Sequence, residues 1–130
     1  MSEDDIFPVV LVVDDERVQL TIITSYLQKA GFRCVTAESA NSAIAALDAA
    51  GDAVKGITLL VTDLEMPGLS GRDLAADMRR RHPGIKVLYV TANPAGLFGQ
   101  RHGLDDHEAF LVKPVTQAAL REAVNMLLRR

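Results

Sequence analysis

Four short apolar runs in this chain each lead straight into a polar side chain with chemical use. Val9-Val10-Leu11-Val12-Val13 leads to Asp14 and Asp15, and Ile57-Thr58-Leu59-Leu60-Val61 leads through Thr62 to Asp63. Val87-Leu88-Tyr89-Val90 leads to Thr91, and Phe110-Leu111-Val112 leads to Lys113. Runs this short, apolar without alternation and rich in β-branched residues, read as strands buried on both faces, as in a parallel sheet covered by helices. In such sheets the ligand site lies outside the carboxyl ends of the strands. Five polar residues remote in sequence are therefore expected to meet in one pocket. It would hold three carboxylates, a hydroxyl and an ammonium, the inventory for binding a divalent cation and a phosphoryl group together.

The stretches between the runs have helical patterns. Asp14 or Asp15 is placed to cap a helix over about 17–30 that ends at Gly31, with Leu20, Ile23, Leu27 and Ala30 on its apolar face. A second strand is expected over 32–36. Ser39 is placed to cap a helix with Ala40, Ala43, Ile44 and Leu47 on one face, ending at Gly51. Ser70-Gly71-Arg72-Asp73 reads as a capping box opening a helix to about Arg81, which His82-Pro83-Gly84 terminates. Asn93 followed by Pro94 reads as a cap and a first-turn proline. The helix after it, over about 94–103, contains Gly96 and Gly99, each costing about 1 kcal/mol relative to Ala. It should be short or loose, and is expected to be the element that responds to the site. Thr116 is placed to cap a last helix with Leu120, Ala123, Val124, Leu127 and Leu128 on one face. Five βα units with short right-handed connections predict an α/β doubly wound, flavodoxin-like five-stranded parallel sheet, order 2-1-3-4-5, with five helices. That order sets Asp14, Asp15 and Asp63 side by side.

The chain has 130 residues, which suits one domain over 1–130 with a core over about 8–128. Its net charge of −3 argues against nucleic acid as a direct partner. The acidic start, Met1-Ser2-Glu3-Asp4-Asp5, lacks the basic and apolar regions of a signal peptide, and no apolar run approaches the roughly 20 residues of a membrane span. One cysteine, Cys34, allows no internal disulfide and points to a reducing compartment, so a cytoplasmic location is expected. Cys34 itself reads as a buried inert thiol.

The chemistry follows from the donor set. Carboxylates gathered at adjacent strand ends repel one another unless a cation joins them. Oxygen-only ligands favour a hard ion, and Mg²⁺ suits a site that keeps waters and meets a phosphate. No His or Cys set has zinc spacing. Asp63, central in the loop mouth, is placed to act as a nucleophile toward phosphorus, with Lys113 and a metal neutralising charge and Thr91 offering a hydroxyl.

The segments Leu11-Val12-Val13-Asp14-Asp15-Glu16, Thr62-Asp63-Leu64-Glu65-Met66-Pro67-Gly68-Leu69-Ser70-Gly71, Val90-Thr91-Ala92 and Phe110-Leu111-Val112-Lys113-Pro114 together resemble a response-regulator receiver domain of two-component signalling. The resemblance runs from about Val9 to Leu128. It implies that Asp63 is the phosphoacceptor and that Asp15 and Asp63 bind Mg²⁺ directly. Asp14 would act mainly through water, and the backbone carbonyl of Glu65 would complete the protein ligands. It implies that Lys113 contacts the phosphoryl group, that its bond to Pro114 is cis, and that Ala92 keeps the site open. Thr91 would move toward the phosphoryl group with Phe110 as an aromatic rotamer switch, and the face of the fourth helix, fifth strand and fifth helix would be the output surface. The implied partners are a sensor or hybrid histidine kinase, or a phosphotransfer protein, and a downstream protein target, with the chain a monomer or weak dimer. It departs from the family's pattern in the glycine-bearing 94–103 stretch, in the 103–108 lead-in to the fifth strand, and at Val115, where a phenylalanine is common.

Plainer readings stand beside these. Asp14 alone would be a helix cap, and Phe110 alone a core aromatic. Arg79-Arg80-Arg81 reads as the solvated end of a helix, well placed for its dipole. His82, His102 and His107 read as exposed structural residues. Competing functions are a Mg²⁺-dependent aspartyl phosphatase, in which Glu65 would be the second acid, a phosphorylation-independent interaction module, and a nucleotide binder, which lacks its Gly-rich loop. With nothing after Arg130, the chain reads as a stand-alone receiver or one excised from a larger protein such as a hybrid kinase.

Overall fold

The computed structural model of the chain describes residues 9–95 and 106–129, with the backbone alone for 53–55. Five strands form one sheet: β1 (Val9–Val13), β2 (Arg33–Ala37), β3 (Ile57–Thr62), β4 (Lys86–Thr91) and β5 (Glu108–Val112). Their order is β2-β1-β3-β4-β5 and every pairing is parallel. Four helices are described: α1 (Arg17–Lys29), α2 (Ala40–Ala50), α3 (Gly71–Arg81) and α4 (Gln117–Leu128). A 3₁₀ segment, Gly51–Gly56, links α2 to β3. Most of the fourth of the five expected helices, over 94–103, lies outside the described residues.

Strand alternation builds two cores. Val10, Val12, Leu59, Val61, Leu88 and Val90 face α1 and α4, while Leu11, Val13, Leu60, Val87 and Tyr89 face α2 and α3. Both sets are at most 1% exposed, so the central strands are covered on both sides, as their unbroken apolar runs require. The helix faces expected from periodicity are the ones that pack: Leu20, Ile23 and Leu27 on α1, Ala40, Ala43 and Leu47 on α2, Leu120, Ala123, Val124 and Leu127 on α4.

Local punctuation matches the sequence at most ends. Ser39 and Thr116 accept the amide hydrogens of Ser42 and Ala119, and Ser70 and Asp73 form a reciprocal capping box. Three boundaries differ. The N-cap of α1 is Glu16, whose side chain does not cap, while Asp14 Oδ1 accepts from the Glu16 amide at 2.9 Å. Asp14 is thus two positions, and Asp15 one, too early to cap, and Asp14 closes the turn instead. β2 begins one residue later than expected, and β5 begins at Glu108, because pairing with β4 extends it past its apolar run. The arginine run is only partly solvated. Arg81 bridges Asp77 and Asp48, Arg80 pairs with Asp77, and Arg79 lies 2.6 Å from Glu108.

Candidate functional site

The carboxyl edge of the sheet assembles the site through its backbone. β1 and β3 are neighbours with Val13 opposite Thr62, so Asp14 and Asp63 emerge together. The Asp63 amide donates to the Val13 carbonyl at 3.1 Å, and the Asp14 amide to the Ala37 carbonyl at 3.2 Å. On the other side, the Lys113 amide donates to the Thr91 carbonyl at 2.9 Å. The Lys113–Pro114 bond is cis.

Lys113 Nζ donates to Asp14 Oδ2 at 3.0 Å and to Asp63 Oδ2 at 3.2 Å. The lysine side chain is 11% exposed, Asp14 1% and Asp63 7%, so these charges meet largely out of water. Burial pushes the Asp63 carboxyl up from its ordinary value; Lys113 opposes that rise and Asp14 adds to it. Burial works against the Lys113 ammonium, but the hydrogen bond and charge of Asp14, then those of Asp63, hold its pKa above the ordinary lysine value. The other Asp63 oxygen, Oδ1, accepts from the Glu65 amide at 3.4 Å.

A cavity of about 180 Å³ opens over Asp63. Asp15, Glu16, Asp63, Glu65, Thr91, Ala92, Asn93 and Lys113 line it. Asp15 is exposed and faces this space, whereas Asp14 lies beneath it. One oxygen from each of Asp14, Asp15 and Asp63 lies within 4.8 Å of the others. The donor set fits a hard divalent cation: three carboxylates face one ammonium, and the negative charge left over is what one Mg²⁺ would cancel.

Thr91 is buried at the cavity wall, but its hydroxyl is turned to the following loop. It accepts from the Asn93 amide at 3.0 Å and donates to the Asn93 carbonyl at 3.3 Å. Phe110 lies on the α2/α3 side of β5, half-buried, in register with Tyr89. The residues predicted on the strand ends are therefore gathered in and just beneath one pocket, while Phe110 packs half-buried against the core behind it.

Two residues have larger roles here than the sequence suggested. Asn93, expected only as a cap, joins both sides of the cavity mouth, because its Nδ2 also donates to Glu65 Oε1 at 3.4 Å. Its position two residues past a strand-end threonine was the one signal available. Gly71, expected only within a capping box, allows a close approach. Its amide donates to the Leu64 carbonyl at 2.9 Å, and a Cβ there would fall 2.1 Å from the Asp63 carbonyl oxygen. Of the histidines, His82 is half-buried as the C-cap of α3, His107 is exposed, and His102 lies outside the described residues.

A doubly wound α/β domain with an acidic, lysine-bridged pocket at its switch point is the class these observations define. The family model described as the response regulator receiver domain matches residues 10–125, and the chain belongs to that family. It is 32% identical over 118 residues to the response regulator protein FleR of Pseudomonas aeruginosa, covering 88% of this chain and 23% of FleR. It is 29% identical over 123 residues to the response regulator SaeR of Staphylococcus aureus, covering 92% of this chain and 50% of SaeR. The chain thus spans half or less of the length of these curated relatives. Among solved structures, a response regulator receiver protein from Sinorhizobium medicae superposes with a TM-score of 0.81 at 29% identity over 95% of both chains. A receiver domain protein from Clostridium thermocellum gives 0.77 at 28% identity over 95% of this chain and 96% of that one.

Proposed function

We propose that this receiver domain accepts a phosphoryl group on Asp63 from a phosphohistidine of a sensor or hybrid histidine kinase, or of a phosphotransfer protein. The observation that carries the reading is Asp63 itself: a carboxylate facing a cavity, beside Asp15, with Lys113 Nζ 3.2 Å away. An Asp63 oxygen attacks phosphorus in line with the P–N bond of the donor. The O–P bond forms, the P–N bond breaks, and its electron pair leaves on the imidazole nitrogen, which takes a proton from solvent. Lys113 holds one Asp63 oxygen and the Glu65 amide the other, so the carboxylate is oriented before the donor arrives. Lys113 then offsets charge on the transferred group.

Asp15, Asp63 and the Glu65 carbonyl would hold Mg²⁺, with Asp14 acting mainly through water. When bound, Mg²⁺ supplies neutralisation of the phosphoryl oxygens. The phosphoryl group adds about −1.5 to −2 charges near neutral pH. Thr91 answers it by exchanging its bonds to Asn93 for one to a phosphoryl oxygen. Phe110 follows as the switch, and the face around β5 and α4 carries the output to a protein target. The domain acts as a signalling phosphoacceptor in the cytoplasm. No helix among the described residues is long and apolar enough to cross a membrane. The phosphatase alternative leaves Asp14 and Asp15 without a role, yet both gather on Asp63.

Incubation with acetyl phosphate and Mg²⁺, followed by intact mass measurement, tests the assignment. Wild type should gain one phosphoryl group and Asp63→Asn none. Equal gain by the variant would place the acceptor elsewhere.

A further inference from the structure

Glu108 is a carboxylate enclosed in the interior at the start of β5, with 5% of its side chain exposed. Tyr89 Oη on β4 donates to its Oε2 at 2.9 Å. Arg79 Nη2 on α3 lies 2.6 Å from the same oxygen, an ion pair by distance without hydrogen-bond alignment. Three elements thus meet at one oxygen. The chemistry of the phosphorylation site uses none of them.

Their placement links them to Phe110. Glu108 and Phe110 are two residues apart on a strand, so both point to the same face. The β4–β5 register sets Tyr89 opposite Phe110, and both pack in the core shared with α2 and α3. Tyr89 is 1% exposed: its ring fills the space beside Phe110 while its hydroxyl reaches Glu108. Burial first, and the charge of Glu108 second, hold that hydroxyl protonated and hence a donor.

The opposite end of α3 touches the phosphorylation loop. The Gly71 amide hydrogen-bonds the Leu64 carbonyl, with no room for a Cβ beside the Asp63 carbonyl, and the last turn of the same helix carries Arg79 to Glu108. An α-helix moves as a rod, so a shift at its first turn is felt at its last. We infer that Tyr89, Glu108 and Arg79 form a latch that ties β5, and with it the Phe110 ring, to α3. The latch gives the chain a second mechanical link between Asp63 and Phe110, separate from Thr91. Its use in signalling rests on the reading of Phe110 given above; its existence does not. An ion pair whose carboxylate is enclosed suits a device of this kind, because separating the partners leaves the Glu108 charge uncompensated and favours whole rearrangement over gradual loosening.

The test uses the full chain labelled with fluorinated phenylalanine, with the Phe110 resonance assigned by its loss in Phe110→Leu. In Mg²⁺ alone, Tyr89→Phe and Glu108→Gln should each displace or broaden the Phe110 resonance. The double variant should fall short of the sum of the two effects, since Glu108→Gln weakens, by uncharging its acceptor, the same hydroxyl bond that Tyr89→Phe removes. Folded variants whose Phe110 resonance coincides with wild type, or whose effects add independently, overturn the latch. Where Glu108→Gln does not fold, Tyr89→Phe decides alone, because phenylalanine preserves the packing. A separate arm adds beryllofluoride to wild type. A Phe110 resonance that stays in place there overturns the switch reading and leaves the latch to be judged by the first arm.

Discussion

At the residue scale, Lys113 decides what Asp63 can do. Buried and crowded by Asp14, the Asp63 carboxyl is pushed toward its neutral form, in which it is a poor nucleophile. The ammonium 3.2 Å away opposes that push, and Asp14 in turn anchors the ammonium at 3.0 Å. Asp14 therefore serves Asp63 indirectly, by keeping Lys113 in place. Cys34 shows burial acting without such a partner. It is half-buried on β2, and desolvation raises its thiol to about 11 against an ordinary 9.0. A raised acid pKa favours the protonated folded state, so any stability it lends is present below pH 9.0 and lost between there and about 11. At pH 8 the thiolate is then about 100-fold scarcer than in the unfolded chain. Alkylation by iodoacetamide at pH 8 should be slower in the folded protein by about that factor, with the rate rising as pH approaches 11. Equal rates in folded and urea-unfolded protein would show that the thiol is not shielded.

At the element scale, α3 is the part of the fold tied most closely to the site. Its first residue is a glycine because backbone meets backbone there, not because a turn needs a positive φ. Gly71→Ala would drive a methyl into the Asp63 carbonyl, which no side-chain rotation relieves. The helix or the loop must move, at a cost of about 3 kcal/mol or more, toward the upper end for overpacking. We expect a large fall in melting temperature together with loss of acetyl phosphate labelling at Asp63. A variant with wild-type stability and labelling would refute the close approach. The sequence set this glycine in a segment resembling the receiver family but did not show its contact, which depends on how a helix docks on a loop. What the sequence did carry was whatever follows one-dimensional rules. Unbroken apolar runs located the strands, polar residues after them located the pocket, and Ser39, Ser70 and Thr116 marked helix starts. The misjudged features are three-dimensional: Asp14 turned to the Glu16 amide, the arginine run paired with carboxylates of its own helix, of α2 and of β5, and Asn93 linking the two rims of the cavity.

At the scale of the whole molecule, the pocket is a place where function is held against stability. Folding brings the carboxylates of Asp14, Asp15 and Asp63 within 4.8 Å of one another, and one lysine offsets only part of that charge. Without a cation, the native state carries a repulsion that the unfolded chain does not. Asp63→Asn keeps the shape of the side chain and leaves an oxygen to accept from the Glu65 amide. It also removes one charge, while Lys113 retains Asp14. In metal-free buffer the variant should therefore melt above wild type, by about 4 °C for each kcal/mol of repulsion relieved. Adding Mg²⁺ should reverse the order. A ligand that binds the native state stabilises it according to its concentration over its dissociation constant, and wild type has the fuller ligand set. Its melting temperature should climb with Mg²⁺ while that of Asp63→Asn climbs less. Thermal unfolding in chelator and across a Mg²⁺ series measures both trends. If the variant melts at or below wild type in chelator, the gathered carboxylates do not burden the fold. If both proteins gain equally from Mg²⁺, the ion binds away from Asp63.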